Sequence, residues 1–207
     1  TSHYDSLIFK WLKKNQELKK NNKSKKIFLK YGENPNQKSY FIKSNSMSII
    51  DGQIQGNKIG YNNILDISEG LDCLREFKDP TCVIIKHNNP CGVASDSSVK
   101  KSFIKAHQAD SISAFGGIVL FNRKINKNLS LLLKKYFFEI IVAPDFYKNS
   151  IKIFERNKNL ILIRSKNINS NNKEFKSVAT GILFQNKNNF KITNKSIKLV
   201  SSKSASF

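Results

Sequence analysis

The segment with the densest group of reactive side chains is Lys86-His87-Asn88-Asn89-Pro90-Cys91-Gly92. It follows the apolar run CVIIK, so it should leave the C-terminal end of a buried strand. A neutral imidazole can accept a proton, and a neighbouring ammonium favours that neutral form and can stabilise a developing oxyanion. The pattern therefore fits a catalytic Lys86–His87 pair. It equally fits an ordinary strand-to-helix turn in which Asn and Pro form the helix cap and Lys86 faces water.

Two further segments have the composition of ligand-binding turns. In KYGENPNQ, Lys30 and Tyr31 precede a glycine, and the turn could present an ammonium and a phenol to an anion. The alternative there is a tight turn with a buried tyrosine. In SISAFGGIVLFN, the consecutive glycines Gly116 and Gly117 would let the backbone approach a phosphate or a flat ring. This pair is neither a G-x-G-x-x-G nor a Walker loop, so it does not by itself identify a nucleotide site.

The three cysteines, Cys73, Cys82 and Cys91, form an odd set without a C-x-x-C pair. Neither a disulfide framework nor a structural zinc site is therefore expected, and the compartment should be reducing. Cys82 and Cys91 flank His87, but no second pair of ligands accompanies them, and Cys82 should point into an apolar strand. We predict that the chain binds no metal.

Strands that alternate with helices surround these segments and must position them. Helical spacing of apolar residues predicts helices at 4–18, 64–77, 98–109, 128–137 and 149–157. Short apolar runs bounded by turn residues predict strands in IFLKYGEN, KSYFIK, SMSIIDGQIQG, CVIIK, GGIVLFN, EIIVAPDF, LILIRS and TGILFQN. This alternation predicts an α/β fold with a largely parallel sheet that helices cover on both faces. The loops at the strand ends should then carry the function.

The composition is that of a globular chain with a strongly basic surface. Its 207 residues leave room for one domain or two small ones, and the formal net charge is +21. The positive residues are 32 Lys and only 4 Arg, beside 25 Asn, whereas phosphate-binding surfaces favour the arginine fork. We therefore expect no specific nucleic-acid partner. Apolar runs stay well below the roughly 18 residues of a membrane span, so we expect no membrane contact and a cytoplasmic location.

Six motifs, taken together, carry a family resemblance. The chain contains, in this order, KYGENPNQ, GNKIGYNNILD, CVIIKHNNPCGVA, ADSISAFGGIVLFNRKI, FFEIIVAPDF and FKSVATGILFQN. The same series is found in the bifunctional purine-biosynthesis family that joins AICAR transformylase to IMP cyclohydrolase. The resemblance to this family runs from about His3 to near Ser201 and so covers almost the whole chain.

The resemblance implies a folate-dependent formyl transfer. The family moves a formyl group from its co-substrate 10-formyltetrahydrofolate to the 5-amino group of AICAR, which gives FAICAR, and its other domain closes FAICAR to IMP. Lys86 and His87 match the catalytic pair of the family, with His87 as proton acceptor and Lys86 as the group that stabilises the transition-state oxyanion. The family uses no metal in this fold and is dimeric. The implied partners are therefore AICAR, formyl-folate and, for the full-length protein, a second copy of the chain.

The resemblance also implies substrate-binding residues on several segments. These are Lys30, Tyr31, Gly116, Glu139 and Lys158. Lys30 stands where many members have Arg, which keeps the charge and loses the bidentate fork. Asn36 replaces the His of the usual N-P-H-Q, so the role of that His is not carried over. Gly60 replaces a common Ser, a change that we expect to be tolerated.

For the fold, the resemblance implies a three-layer, cytidine-deaminase-like subdomain with a mostly parallel mixed sheet, the first of two in the family. We assign 1–22 to the trailing helix of the cyclohydrolase domain and a linker, 23–190 to this subdomain, and 191–207 to the start of the connection to a second half. The chain is thus expected to be a partial transformylase domain with negligible turnover on its own. An inactive remnant and a basic nucleotide- or RNA-binding module are the alternatives.

Overall fold

The computed structural model describes residues 26–43, 47–166, 168, 173–188 and 190. The predicted helix at 4–18 lies outside these residues, as do both assigned terminal segments, 1–22 and 191–207. The chain divides into two compact units, Thr1–Asn169 and Ser170–Phe207. All of the candidate catalytic and substrate-binding residues belong to the first unit.

Eight strands and four helices make up the described part of the first unit. The strands are β1 (Lys26–Phe28), β2 (Tyr40–Ile42), β3 (Gln53–Gln55), β4 (Thr81–Lys86), β5 (Asn89–Ser95), β6 (Ile118–Phe121), β7 (Ile140–Ala143) and β8 (Ile161–Arg164). The helices are α1 (Tyr61–Arg75), α2 (Val99–Ala109), α3 (Lys127–Leu133) and α4 (Lys148–Phe154). The alternation of strands and helices after β3 confirms the predicted α/β class.

Six of these strands form one mixed sheet in the order β3-β8-β7-β6-β4-β5, and β1 and β2 form a separate antiparallel pair. β6 is parallel to β7, and β7 is parallel to β8. β4 is antiparallel to both β5 and β6, and β3 is antiparallel to β8. The prediction of a largely parallel sheet is therefore wrong, because three of the five pairings are antiparallel.

The error arises where β4 ends. The residues after Lys86 do not lead into a helix; they form β5, which returns antiparallel to β4 with Asn89 opposite Lys86. Pro90 is tolerated in this strand because β5 lies at the edge of the sheet, where a missing N–H need not break a ladder. The strand-to-helix interpretation is therefore wrong, and α2 begins only at Val99.

Helices cover the sheet on both faces, as predicted, and give three layers. One face carries α1, and its buried side chains there are Ile67, Leu71 and Leu74. The other face carries α2, α3 and α4, with buried residues such as Phe103, Leu129 and Phe154. Successive residues of β4 point alternately to the two faces, so Thr81 to Ile85 are all buried.

A local cap marks the start of α3, and a contact with a distant segment follows its end. The helix begins after Asn126, whose side-chain oxygen accepts a hydrogen bond from the Leu129 N–H at 3.0 Å. It ends at Leu133, four residues before its predicted end, because the chain turns to bring the Phe137 carbonyl within 2.9 Å of the Gly116 nitrogen. None of the helices in the described ranges is long and apolar enough to cross a membrane.

The second unit contains an antiparallel hairpin of β9 (Lys173–Val178) and β10 (Gly181–Asn186). β10 confirms the strand predicted in TGILFQN. The sequence interpretation missed β9 because the run KEFKSV has too few apolar residues to stand out from the polar loop before it.

Asp96 links the end of β5 to α2. Its carboxylate accepts hydrogen bonds from the Ser97 N–H and hydroxyl at 2.6 and 2.9 Å, and it pairs with the Lys105 ammonium at 2.7 Å. The hydrogen bond from Lys105 and those from Ser97 lower the pKa of Asp96 to about 2. This folded-state pKa is below the ordinary value of about 4, so the contact stabilises the fold above about pH 4 and is lost as the pH falls towards 2.

We predict that Asp96→Asn lowers the thermal unfolding midpoint at neutral pH, and that the difference from the unchanged chain shrinks below about pH 4. Circular dichroism melts at about pH 7, 4 and 3 measure this. Glu69→Gln, which changes an exposed carboxylate on α1, is the control and should leave the midpoint unchanged. A difference that is the same at every pH would contradict the assignment of the low pKa to this contact.

Candidate active site

Four of the candidate residues lie along one edge of the six-stranded sheet, which we call the site edge. Lys86 is the last residue of β4, whereas Gly116, Glu139 and Lys158 precede β6, β7 and β8. These positions share an edge because β4 is antiparallel to β6, so its C-terminal end lies on the same side of the sheet as the N-terminal ends of the three parallel strands. α1 also begins at this edge, because β3 runs in the same direction as β4.

Lys86 is half-buried and directed at the turn before β6. Its Nζ donates a hydrogen bond to the carbonyl oxygen of Phe115 at 2.8 Å. That carbonyl belongs to the peptide group joined to Gly116, so the contact brings two of the candidate segments together. An ammonium has three donors, and this bond fixes its direction while leaving two for a ligand.

His87 is exposed at the tip of the β4–β5 hairpin. The φ angles of His87 and Asn88 are 53° and 63°, and a two-residue type I′ turn requires such left-handed values at both positions. The peptide group between the two residues is held at both ends. Its N–H, from Asn88, donates to Asp66 Oδ1 at 2.6 Å, and its carbonyl, from His87, accepts from Asn89 Nδ2 at 3.0 Å.

The turn before β6 depends on Gly116. Its φ is +72°, and its N–H donates to the Phe137 carbonyl. The flanking aromatic rings, Phe115 and Phe137, contact each other with centroids 5.0 Å apart, although the two residues are 64% and 53% exposed. One of these two exposed aromatic residues, Phe115, therefore supplies the backbone carbonyl that binds the Lys86 ammonium.

Glu139 lies beside this turn, at the start of β7. Its N–H donates to the Gly117 carbonyl at 3.1 Å, and its carboxylate accepts from Asn63 Nδ2 at 3.4 Å. Asn63 is in the first turn of α1, where its side-chain oxygen also accepts from the Gly60 N–H. Glu139 is therefore exposed but oriented by the start of the helix.

The loop that contains Lys30 and Tyr31 meets the start of the same helix. The Glu33 carbonyl accepts a hydrogen bond from Asn62 Nδ2 at 3.1 Å. The Lys30 ammonium lies 5.4 Å from the centre of the Tyr31 ring, an arrangement that allows a cation–π contact. Gln37 closes the loop, because its side-chain oxygen accepts a hydrogen bond from the Asn34 N–H at 2.7 Å.

Lys158 occupies a more distant position. It is exposed in the turn between α4 and β8, where the adjacent Asn159 accepts a hydrogen bond from Asn57 at 3.0 Å. No hydrogen bond or ion pair joins Lys158 to the other candidate side chains, all of which lie in the described ranges. The structure therefore brings Lys86 and Gly116 into one cluster, with Glu139 beside it, and leaves Lys158 two strands away from β6.

Comparison with known proteins identifies the family. The model of the AICARFT/IMPCHase bienzyme family matches residues 1–206. The chain belongs to the AICARFT/IMPCHase bienzyme family. It is 40% identical over 205 residues to the bifunctional purine biosynthesis protein PurH of Caldicellulosiruptor bescii, an alignment that covers 90% of this chain and 39% of that protein.

Other relatives give the same result. The bifunctional purine biosynthesis protein PurH of Buchnera aphidicola subsp. Schizaphis graminum is 41% identical over 206 residues, which cover 89% of this chain and 39% of that protein. The corresponding protein of Acetivibrio thermocellus is 36% identical over 219 residues, which cover 98% of this chain and 42% of that protein. The chain thus spans about two fifths of the length of these curated relatives.

Within this AICARFT/IMPCHase segment, the structure adds residues that sequence interpretation missed. They are Asn62, Asn63, Asp66, Phe115 and Phe137. The first three have a signal in the sequence: Asn62 and Asn63 lie four and three residues before Asp66 on a helix, and residues at either spacing are neighbours on the helix surface. The aromatic pair, Phe115 and Phe137, has no such signal in the sequence, because only the tertiary structure brings the two rings together and leaves them exposed.

The cysteines of this family member are not placed for nucleophilic chemistry. Burial raises the pKa of the Cys82 thiol, and the neighbouring Cys91 raises it further. Burial is also the main cause that raises the pKa values of Cys73 and Cys91. A raised thiol pKa leaves little reactive thiolate. In the ranges that the structure describes, no three His, Cys, Asp or Glu side chains are grouped to hold a metal ion.

A cavity of about 350 Å³ lies on the face of the sheet that carries α3 and α4. Its apolar wall includes Leu133, Phe138 and Phe154, and Lys134 and Arg156 also line it. None of the candidate residues lines this cavity.

We predict that Gly116→Ala lowers the free energy of unfolding by about 1–2 kcal/mol, because an alanine at φ +72° is strained. Urea denaturation of the two chains measures the change. Gly181→Ala in β10 is the matched control, since a Cβ there would meet no atom within 4 Å. Equal stability of Gly116→Ala and the unchanged chain would show that this turn does not need a left-handed residue.

Proposed function

We propose that this chain supplies the catalytic base and the oxyanion partner of AICAR transformylase in purine synthesis. The reaction moves a formyl group from 10-formyltetrahydrofolate to the 5-amino group of AICAR. The observation that carries the proposal is the 2.8 Å contact between Lys86 Nζ and the Phe115 carbonyl beside Gly116, in a chain that belongs to the AICARFT/IMPCHase family.

His87 is the proposed base. The amine of AICAR is a poor nucleophile, because its lone pair is conjugated with an imidazole ring that carries a carboxamide. As the amine nitrogen bonds to the formyl carbon, His87 accepts a proton from that nitrogen. The bond from the formyl carbon to N10 of the folate then breaks, and N10 takes up a proton. The exposed position of His87 on a held turn supports this role.

Lys86 is the proposed oxyanion partner. The formyl oxygen gains negative charge when the amine adds to the carbon, and a positioned ammonium lowers the energy of that state. Because one donor of Lys86 is bound to the Phe115 carbonyl, the group is oriented before the substrate arrives. An ammonium that is already oriented does not have to reorganise when the transition state forms.

The proposed AICAR contacts are Lys30, Tyr31, Gly116, Glu139 and Lys158. Two observations support the group near α1: Asn62 contacts the loop of Tyr31, and Asn63 contacts Glu139. Lys30 beside Tyr31 would suit the phosphate of a nucleotide. Lys158 has the weakest support, since it lies away from the Lys86 cluster.

For the whole protein, we propose a cytidine-deaminase-like subdomain at 23–190, preceded by the end of the cyclohydrolase domain and followed by a connection to a second subdomain. The three layers around the mixed sheet support this assignment. We further propose a cytoplasmic homodimer that uses formyl-folate as co-substrate and has neither a metal nor a specific nucleic-acid partner.

We predict that, in a full-length protein containing this segment, His87→Ala and Lys86→Ala each lower kcat for FAICAR formation by about 100- to 10,000-fold. The dissociation constant for AICAR should change far less for His87→Ala, because a base acts mainly in the transition state. Lys100→Ala on the exposed side of α2 is the control and should keep full turnover.

The same assay, applied to the 207-residue chain alone, should detect negligible FAICAR formation, because the second subdomain is proposed to complete the folate side. Near-normal turnover of full-length His87→Ala would remove its assignment as the base. Normal turnover by the 207-residue chain would show that this segment forms the site unaided.

A further inference from the structure

The turn that displays His87 is costly to form. A left-handed conformation is disfavoured for L-residues other than glycine, although less for Asn than for most, and both central residues of this turn adopt it. Two-residue hairpins of this type usually place Gly second, as in Asn-Gly, but this chain has His87-Asn88. The hairpin itself therefore does not guarantee the turn, and contacts from outside must hold it.

One contact from another element acts on this turn. The peptide group between His87 and Asn88 donates its N–H to the carboxylate of Asp66, on α1. At 2.6 Å, this is a short hydrogen bond to a charged acceptor, which is stronger than a bond between neutral groups. The Asn89 side chain holds the carbonyl at the other end of the same peptide group. Rotation of this group would change ψ of His87 and φ of Asn88, so the two bonds together fix the backbone that carries the imidazole.

The packing of α1 explains why Asp66 reaches the turn. Gly70, one helical turn after Asp66, is buried against Leu120 of β6, and a Cβ at Gly70 would lie 2.6 Å from Leu120 Cδ1. The missing side chain lets the helix lie close to the sheet. Residues 66 and 70 share a face of the helix, so the close approach brings the Asp66 carboxylate to the β4–β5 turn at the site edge.

We infer that Asp66 is a positioning residue for His87. It holds the left-handed turn through its acceptor oxygen and thereby sets the direction of the imidazole, without touching the substrate itself. This inference rests on the proposed role of His87 as the base. It is separate from the binding of AICAR, because Asp66 acts on the backbone of the turn.

The first test uses a full-length protein containing this segment. Asp66→Ala should lower kcat for FAICAR formation by about 10- to 100-fold, the cost of a slightly misplaced catalytic group. KM for AICAR should stay within about threefold, because ground-state binding does not depend on the base. Asp66→Asn should keep most of the turnover, since its amide oxygen can still accept the Asn88 N–H. Glu69→Ala, an exposed acid on the same helix, is the control for loss of a charge near the turn.

The second test asks whether the turn itself is the target. Asn88→Gly removes the steric cost of the left-handed conformation at this position. The double variant Asp66→Ala/Asn88→Gly should have a kcat at least about threefold higher than that of Asp66→Ala alone, because glycine makes the turn less dependent on the carboxylate. If Asp66 acted through its charge on the reacting groups, Asn88→Gly would restore nothing and Asp66→Asn would be as impaired as Asp66→Ala. That pair of results would overturn the inference, as would wild-type kcat in Asp66→Ala.

A third measurement does not depend on turnover. Hydrogen exchange of the full-length protein, followed by mass spectrometry, should be faster in the peptide spanning the β4–β5 turn for Asp66→Ala and unchanged for Asp66→Asn. Equal exchange in all variants would overturn the inference, whatever reaction the protein catalyses.

Absence of formyl transfer in the unchanged full-length protein would instead remove the proposed function. If Asp66→Ala did not fold, Asp66→Asn would decide: retained kcat and exchange support the inference, and loss of either overturns it.

Discussion

The reversal of β4 within the sheet is the constraint on which the candidate site depends. β4 lies between β5 and β6 and runs against both, so its C-terminal Lys86 adjoins the N-terminal end of β6. If β4 were parallel to β6, Lys86 would lie at the opposite edge from Gly116. The 2.8 Å bond between Lys86 and the Phe115 carbonyl would then be impossible.

The start of α1 joins the remaining parts of the site. Three of its polar side chains contact three different segments: Asn62 contacts the loop after β1, Asn63 contacts Glu139, and Asp66 contacts the β4–β5 turn. The buried side of the helix holds it on the sheet through Ile67 and its neighbours. Core packing therefore determines where these polar side chains lie. In this way one rigid element positions several candidate residues.

The opposite edge of the sheet has a structural role. The loops after β6 and β7 and the end of β8 meet there, and Asp145 forms ion pairs with Lys124 and Arg164 at 2.8 and 3.0 Å. The hydrogen bond from Lys124 is the main cause that holds the pKa of Asp145 below its ordinary value. In parallel α/β sheets, ligands usually bind at the C-terminal ends of the strands. Here those ends are joined by ion pairs, and the candidate site lies at the N-terminal ends of β6, β7 and β8, where β4 contributes its C-terminus.

The sequence by itself determined the α/β class, the four described helices to within a few residues, and the family. Apolar periodicity and caps are local, and long motifs such as CVIIKHNNPCGVA are specific. Only the tertiary structure decided the direction of β4, because the His87-Asn88 turn lacks the glycine that marks a hairpin and Pro90 suggests a break. The tertiary structure also decided that Lys86 bonds to Phe115 and that Asn88 bonds to Asp66. The two residues of each pair are more than twenty positions apart in the sequence, so each bond depends on how helix and sheet pack.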